Sequence, residues 1–299
     1  MEASRAVAVE VGGVRQVVAD YVTLTKPRVQ LLLLLTTVTT MYVAGDPSLS
    51  LVALTVLGGY LSAGGAGAVN HYWDRDIDAR MARTATRPIP AGRVSPRAAL
   101  LYGLALAALS FLLLATTVNL LSAFLALAGF LGYVLVYTMW LKRSTPQNIV
   151  IGGAAGAVPP LVGWSAVTGG LDPAALYLFA IVFYWTPPHF WALSLLMKDE
   201  YARVGVPMMP VVYGEAETRR QIVLYTALLV VLTLLPVAFG FFGALYAAAA
   251  IALGGAFLVL AVRLQRRADR PSALRTYLYS LAYLALLFCA MVLDAQLLG

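Results

Sequence analysis

The sequence predicts an all-α integral membrane protein: nine transmembrane helices in a bundle around a central chamber, with the N-terminus cytoplasmic and the C-terminus outside. Three observations predict it. The 299 residues are 61% hydrophobic, with a mean hydropathy of +0.82. Only 12% are charged, where a soluble domain carries about a quarter. Every lysine and arginine falls in a segment that one alternating topology puts on the same side of a membrane.

The elements follow in order. Residues 1–24 read as a cytoplasmic N-terminal segment, in which Arg15 to Thr25 is either an amphipathic helix lying on the membrane or a loop. It has no basic stretch leading into a strong apolar core, so no cleaved signal peptide is expected. The lack of a transit peptide points to a prokaryotic plasma membrane. Residues 25–299 read as one nine-helix domain. Uncharged runs lie at Val29–Ala44, Leu49–Val69, Ala98–Thr117, Leu120–Leu141, Asn148–Val167, Pro173–Met197, Gln221–Val262 and Thr276–Leu293. A helix crosses the bilayer core with roughly 20 apolar residues. The Gln221–Val262 run is twice as long, and Pro236, Gly240 and Gly243 mark a turn inside it, so it holds two spans.

The charges set the orientation. With the N-terminus inside, the inside segments hold Arg5, Arg15, Lys26 and Arg28, then six arginines from Arg75 to Arg97, then Lys142 and Arg143. Lys198, Arg203, Arg219 and Arg220 follow, and finally five arginines from Arg263 to Arg275, which accounts for all 21 basic residues. The outside turns near Asp46, Thr117, Gly170 and Phe242 hold none. This is the positive-inside pattern. The basic balance (pI ≈ 9.6) is then explained by topology and by anionic membrane lipids, and no nucleic-acid partner is expected. The one cysteine, Cys289, lies in the last span; it allows no internal disulfide and reads as a packing residue.

Function is expected on the cytoplasmic side, because the long loops, 73–96 and 197–220, lie there. The first follows Asn70, Asp74 and Asp78. A spacing of four puts these side chains on one helix face, with Asp76 on another. Two carboxylates and an amide oxygen on one face suit a hard cation such as Mg²⁺, which takes one or two carboxylates plus substrate phosphates; an acidic helix end in a solvated loop is the plainer alternative. Arg80, Arg83, Arg87 and Arg93 come next. Each alone reads as a topology determinant, but as a group their guanidinium forks favour a diphosphate. The second loop begins Lys198-Asp199-Glu200-Tyr201, 125 residues after Asp74 by the position of Asp199, and offers one more carboxylate. The segment Trp185-Thr186-Pro187-Pro188-His189-Phe190-Trp191 puts an ionisable group inside the membrane, a functional candidate by default. Neutral imidazole ligates haem iron; a hydrogen bond to a carbonyl freed by the prolines is the alternative. Gly152, Gly153, Gly156 and Ala157 read as a close-packing face, and Tyr133, Tyr137 and Trp140 as an interfacial aromatic belt.

Asn70-x-x-x-Asp74-x-x-x-Asp78 resembles the first aspartate-rich motif of the UbiA-type intramembrane prenyltransferases, which are nine-helix bundles that bind a prenyl diphosphate through Mg²⁺. More specific segments resemble the haem O synthase branch of that family: Leu24-Thr25-Lys26-Pro27-Arg28, Tyr137 to Arg143, Asn148 to Gly156, Trp185 to Trp191, and Lys198-Asp199-Glu200-Tyr201 leading to Gly205-Val206-Pro207-Met208-Met209-Pro210. The similarity runs from about Leu24 to Arg220 and more weakly beyond. It departs from the superfamily in the second motif, where Arg203 stands four residues after Asp199 in place of an aspartate, so Lys198 or Arg203 is expected to replace a metal charge there.

What the resemblance implies is transfer of a farnesyl group from farnesyl diphosphate to a vinyl group of haem B, with water added, giving haem O and diphosphate. The implied catalytic residues are Asp74, Asp78 and Asp199, with Asn70 beside them as metal ligands. Lys26, Arg28, Arg75, Arg83, Arg87, Lys198 and Arg203 are the implied diphosphate contacts. His189, Trp185 and Trp191 are the implied haem contacts. Mg²⁺ is the expected cofactor. Membrane lipids, and haem A synthase or terminal-oxidase assembly factors, are the expected partners. A quinone or archaeal-lipid prenyltransferase is the alternative within the family. A transporter is disfavoured by the odd span count, the lopsided loops and the lack of a mid-membrane acidic pair.

Overall fold

The structure is a computed structural model and describes residues 13–298. Residues 1–12 of the expected N-terminal segment, with Arg5, and Gly299 lie outside the described residues. Within them all regular structure is helical. The helices are α1 (Val14–Leu24), α2 (Pro27–Ala44), α3 (Leu49–Trp73), α4 (Arg75–Arg80), α5 (Pro96–Thr117) and α6 (Leu120–Ser144). Then come α7 (Asn148–Thr168, broken at Ala157), α8 (Pro173–Leu196), α9 (Lys198–Arg203) and α10 (Met209–Val212). The last three are α11 (Gly214–Ala238), α12 (Ala244–Arg267) and α13 (Arg270–Leu298).

Their starts are written locally. Ser48, Ser95, Asn119 and Asp172 each accept a hydrogen bond from a backbone N–H in the first turn, at 2.8–3.2 Å. Pro27, Pro96 and Pro173 stand first in their helices, where a missing N–H costs nothing. The start of α12 is capped from elsewhere: the buried Asp294 of α13 accepts from the Gly243 and Tyr246 amides at 2.6 and 3.1 Å.

Among the described residues, eight helices are long and apolar enough to cross a membrane: α2, α3, α5, α6, α7, α11, α12 and α13. The expected sixth span, α8, is 24 residues long, but Thr186, Pro187, Pro188 and His189 dilute its apolar content. The connections 45–48, 118–119, 169–172 and 239–243 carry no lysine or arginine. The expected loop 197–220 is largely helical, since α9, α10 and the start of α11 fall within it. Successive long helices pack side by side around a ring, and α13 closes it against α2. Large apolar side chains face outward, as on α5, where Leu101 is 67% exposed with Leu104, Leu109 and Leu112 beside it. Cys289 is exposed on such an outer face, which corrects its reading as a packing residue.

Glycines set the closest crossings. A Cβ on Gly163 would stand 2.3 Å from the Thr37 carbonyl oxygen, so α7 and α2 meet backbone to side-chain-free backbone. Gly156, expected in a packing face, has open space around it. Gly163→Ala is therefore expected to destabilise by about 1–3 kcal/mol, whereas Gly156→Ala should be neutral or slightly stabilising. Thermal unfolding of both variants in one detergent checks this; equal melting temperatures would overturn it.

Candidate active site

The site forms where α3 breaks. Trp73 ends α3, and α4 begins one residue later, yet the Asp74 amide still bonds the Asn70 carbonyl at 2.9 Å and the Asp78 amide the Asp74 carbonyl at 2.8 Å. The four-residue spacing therefore survives the break. Asn70, Asp74 and Asp78 are all buried, and the Asn70 amide donates to Asp74 Oδ2 at 2.8 Å. Asp76 points outward and is half-exposed.

Each buried carboxylate is held by a cation. Arg87 grips Asp78 with one guanidinium nitrogen, at 2.9 and 2.7 Å from its two oxygens. Loop 81–94 makes this possible by turning back on itself, fixed by the Thr84 hydroxyl donating to the Asp78 carbonyl at 2.8 Å. Lys142, at the end of α6, pairs with Asp74 Oδ2. Lys26 donates to Asn70 Oδ1 at 2.5 Å and to the Tyr133 hydroxyl at 3.4 Å. It reaches inward because its backbone is left-handed (φ 54°). Pro27 disfavours the helical region for the residue before it, and the resulting corner turns the side chain back under α2. Burial, with Arg87 and Lys142 nearby, holds the Lys26 ammonium well below the usual lysine range. Arg143 bonds both Asp76 oxygens, at 2.9 and 2.7 Å, and holds that carboxyl below its usual range.

The middle of α6 is a π-helix, Gly132–Leu141, a distortion often found at functional sites. It brings Thr138 and Lys142 to the same place, with Thr138 Oγ1 accepting from the Asn70 amide at 3.1 Å. Tyr133, expected in an aromatic belt, instead stands beside Lys26, while Trp140 is exposed as expected. The cluster thus sets three basic side chains, Lys26, Arg87 and Lys142, with Arg143 3.5 Å from Asp74, against two buried carboxylates. An anion bound there would favour the charged form of Lys26, which burial and its basic neighbours oppose, so the cluster suits an anion.

Residues 33–290 match the sequence profile of the UbiA prenyltransferase family. The chain belongs to this family. Its members are membrane proteins, and the apolar helices make this chain a multi-pass one. A protoheme IX farnesyltransferase of Roseiflexus sp. (strain RS-1) is 57% identical over 92% of this chain and 52% of its own length. One from Chloroflexus aurantiacus is 55% identical over 95% and 49%, and one from Symbiobacterium thermophilum 56% over 93% and 95%. The chain thus spans about half the length of the first two. Among solved structures, a digeranylgeranylglyceryl phosphate synthase superposes with a TM-score of 0.77 at 17% identity, over 94% of this chain and 99% of that one. A UbiA homologue from Archaeoglobus fulgidus bound to DMAPP and Mg²⁺ gives 0.69 at 18%, over 91% and 99%. These likenesses carry the fold.

Several residues expected at the UbiA site are placed elsewhere. Asp199 is exposed, without an ion pair among the described residues, and lines a recess of about 190 Å³ with Glu215, Arg219 and Asp269. No three His, Cys, Asp or Glu side chains among the described residues stand together as a metal site. The reason is the rotation of α9. Tyr201 packs into the apolar cluster of Ile77, Met81, Val204 and Val206 that joins the two loops, and two residues make about 200° on a helix, so Asp199 faces away. Lys198 bonds Glu215 at 3.0 Å. Arg203, Arg28 and Arg83 are exposed and unpaired among the described residues. Arg75 folds over the Tyr72 ring, 4.7 Å from its centroid. Arg93 binds the buried Asp20 of α1 at 3.0 Å.

His189 is buried deep in α8, hydrogen-bonded through Nδ1 to Ser280 Oγ at 2.7 Å. Trp185, one turn earlier, stacks on it with centroids 4.4 Å apart. Trp191 faces the other way, edge-on to Tyr225 in a core with Ile222 and Leu264, and is not a neighbour of the histidine. Lys142, Arg143 and Thr138 are the residues that sequence reading missed. In the sequence Lys142 and Arg143 serve as topology signals and fall in the segment Tyr137 to Arg143 that carries the resemblance, but neither use gives them a role at the site, though four residues separate Thr138 from Lys142 as they separate Asn70 from Asp74.

Proposed function

We propose that this chain transfers the farnesyl group of farnesyl diphosphate to a vinyl group of haem B, giving haem O and diphosphate. The observation that carries this reading is the buried cluster of two carboxylates and three basic side chains at one end of the bundle. The relatives from Roseiflexus, Chloroflexus and Symbiobacterium, named protoheme IX farnesyltransferases, support the choice of substrates.

Magnesium fits this donor set. Asn70, Asp74 and Asp78 are hard oxygen donors held close together out of water, and two carboxylates suffice where phosphates complete the coordination. The A. fulgidus homologue bound to DMAPP and Mg²⁺ supports the same assignment. When bound, the ion would neutralise charge on the diphosphate as it departs. Lys142 and Arg87 pair with the carboxylates and Lys26 with the Asn70 amide oxygen, and each has a second role once phosphate arrives: its donors turn to the leaving group. Such donors, preorganised in a water-poor site, act where charge develops in the transition state. The allylic carbon–oxygen bond breaks, the pair of electrons leaves with diphosphate, and the allylic carbon bonds to the vinyl carbon. Water then adds to the resulting cation and loses a proton. His189 with Trp185 positions the haem.

The same reading includes nine spans with a cytoplasmic N-terminus, a single domain over 25–299 around a central chamber, and a bacterial cell membrane. The arginine-free connections at one end support that orientation. Haem A synthase or terminal-oxidase assembly factors are its protein partners.

The test is release of diphosphate from farnesyl diphosphate by purified protein with Mg²⁺. Release is expected to depend on added haem B and to yield haem O. Release that ignores haem but follows a quinone precursor or a lipid alcohol would overturn the reading.

A further inference from the structure

The imidazole of His189 is set in place by one residue of the last helix. Ser280 Oγ lies 2.6 Å from the Tyr277 carbonyl oxygen. Two oxygens that close repel unless a proton lies between them, so the serine's single proton is committed to that carbonyl. Its oxygen is then only an acceptor for His189 Nδ1, 2.7 Å away. The histidine must carry its proton on Nδ1, and Nε2 is left as a bare lone pair. No hydrogen bond reaches Nε2 from the described residues, and the residue retains 7% of its surface.

The rest of the setting locks the ring in place. Tyr277 lies near-parallel to the imidazole at 5.0 Å and 29°, and Trp185 at 4.4 Å and 17°. The Trp185 indole N–H donates to the Ser280 carbonyl at 2.8 Å. Ser280 therefore ties down both the imidazole, through its hydroxyl, and the indole stacked on it, through its backbone. A buried neutral imidazole has one donor nitrogen and one acceptor nitrogen, and in a purely structural setting both ordinarily find partners. This one has its tautomer fixed, its plane fixed and the opposite nitrogen free, which is the arrangement found behind metal-ligating histidines.

We infer that Ser280 is a positioning residue that presents His189 Nε2, as an unprotonated lone pair, to the iron of the haem substrate. This rests on the haem-acceptor reading above. Without the Ser280 hydroxyl, the proton moves between Nδ1 and Nε2 and the ring loses its anchor.

The experiment is a ferric haem B titration of purified protein in detergent, read by the Soret band and the dissociation constant, without farnesyl diphosphate. Ser280→Ala should weaken haem binding by about 10–100-fold and shift the Soret band, while Ser280→Thr, which keeps the hydroxyl, should stay near wild type. Adding Ser280→Ala to His189→Ala should change nothing further. Wild-type spectra and affinity in Ser280→Ala, with a clear loss in His189→Ala, would overturn the inference and leave the haem reading intact. Equal losses from Ser280→Ala with and without His189 would also overturn it, as the mark of a packing role. An unchanged His189→Ala would remove the ligation on which the inference depends.

Discussion

Asp74→Ala and Asp78→Ala are each expected to lower farnesyl transfer by at least 10²-fold, about 2.7 kcal/mol in the barrier. Each carboxylate is buried and touches a cation of the cluster. On the proposed reading its removal takes a ligand from the metal, and it also leaves Lys142 or Arg87 as a charge without its partner, which costs more than the missing pair was worth. Single-turnover diphosphate release at saturating Mg²⁺ separates this from weak metal binding. Asp76→Ala should be much milder, because Asp76 is half-exposed and pairs only with Arg143. Asp199→Ala should fall with Asp76→Ala, since it has no contact with the cluster. Turnover near wild type in both Asp74→Ala and Asp78→Ala would remove the assignment.

Lys142→Met is expected to cost about 10–10²-fold, or roughly 1.4–2.7 kcal/mol. The methionine keeps most of the apolar stem and deletes only the ammonium. Asp74 would keep Asn70 at 2.8 Å and a distant Arg143 at 3.5 Å, so the fold should survive while the cluster loses one of its three basic side chains. Lys142→Arg should recover part of the activity by restoring charge at a different reach. The same kinetics check it, with melting temperature as the control for folding. A Lys142→Met enzyme with unchanged turnover and unchanged response to farnesyl diphosphate would make this lysine a topology signal alone.

The fold was legible because a bilayer imposes one simple pattern. Apolar runs of span length and basic residues on alternate connections suffice to place α2, α3, α5, α6, α7, α11, α12 and α13. The turn at Pro236, Gly240 and Gly243 was readable for the same reason, and α11 ends at Ala238 with α12 starting at Ala244. The first aspartate-rich motif was legible because its members are four apart, and that spacing holds even across the break after Trp73.

What the sequence by itself determined is the local order: which segments are helices, where they start, and which side chains of one helix share a face. Tertiary structure alone decided which charges meet. Arg87 reaches Asp78 because the loop between them folds back, whereas Arg83, four residues earlier in sequence, is left exposed. Lys142 reaches Asp74 because a π-helix resets the register of α6. Asp199, the same kind of residue as Asp74 in the same kind of loop, is turned out by the burial of Tyr201 in an apolar cluster. Ser280 meets His189 across 91 residues, through contact between α8 and α13. The physical reason is one of range. Helix geometry and bilayer partition act within about 20 residues, so the chain states them in order. An ion pair between segments depends on how loops fold and how helices rotate against each other, and those are fixed only when the apolar faces pack.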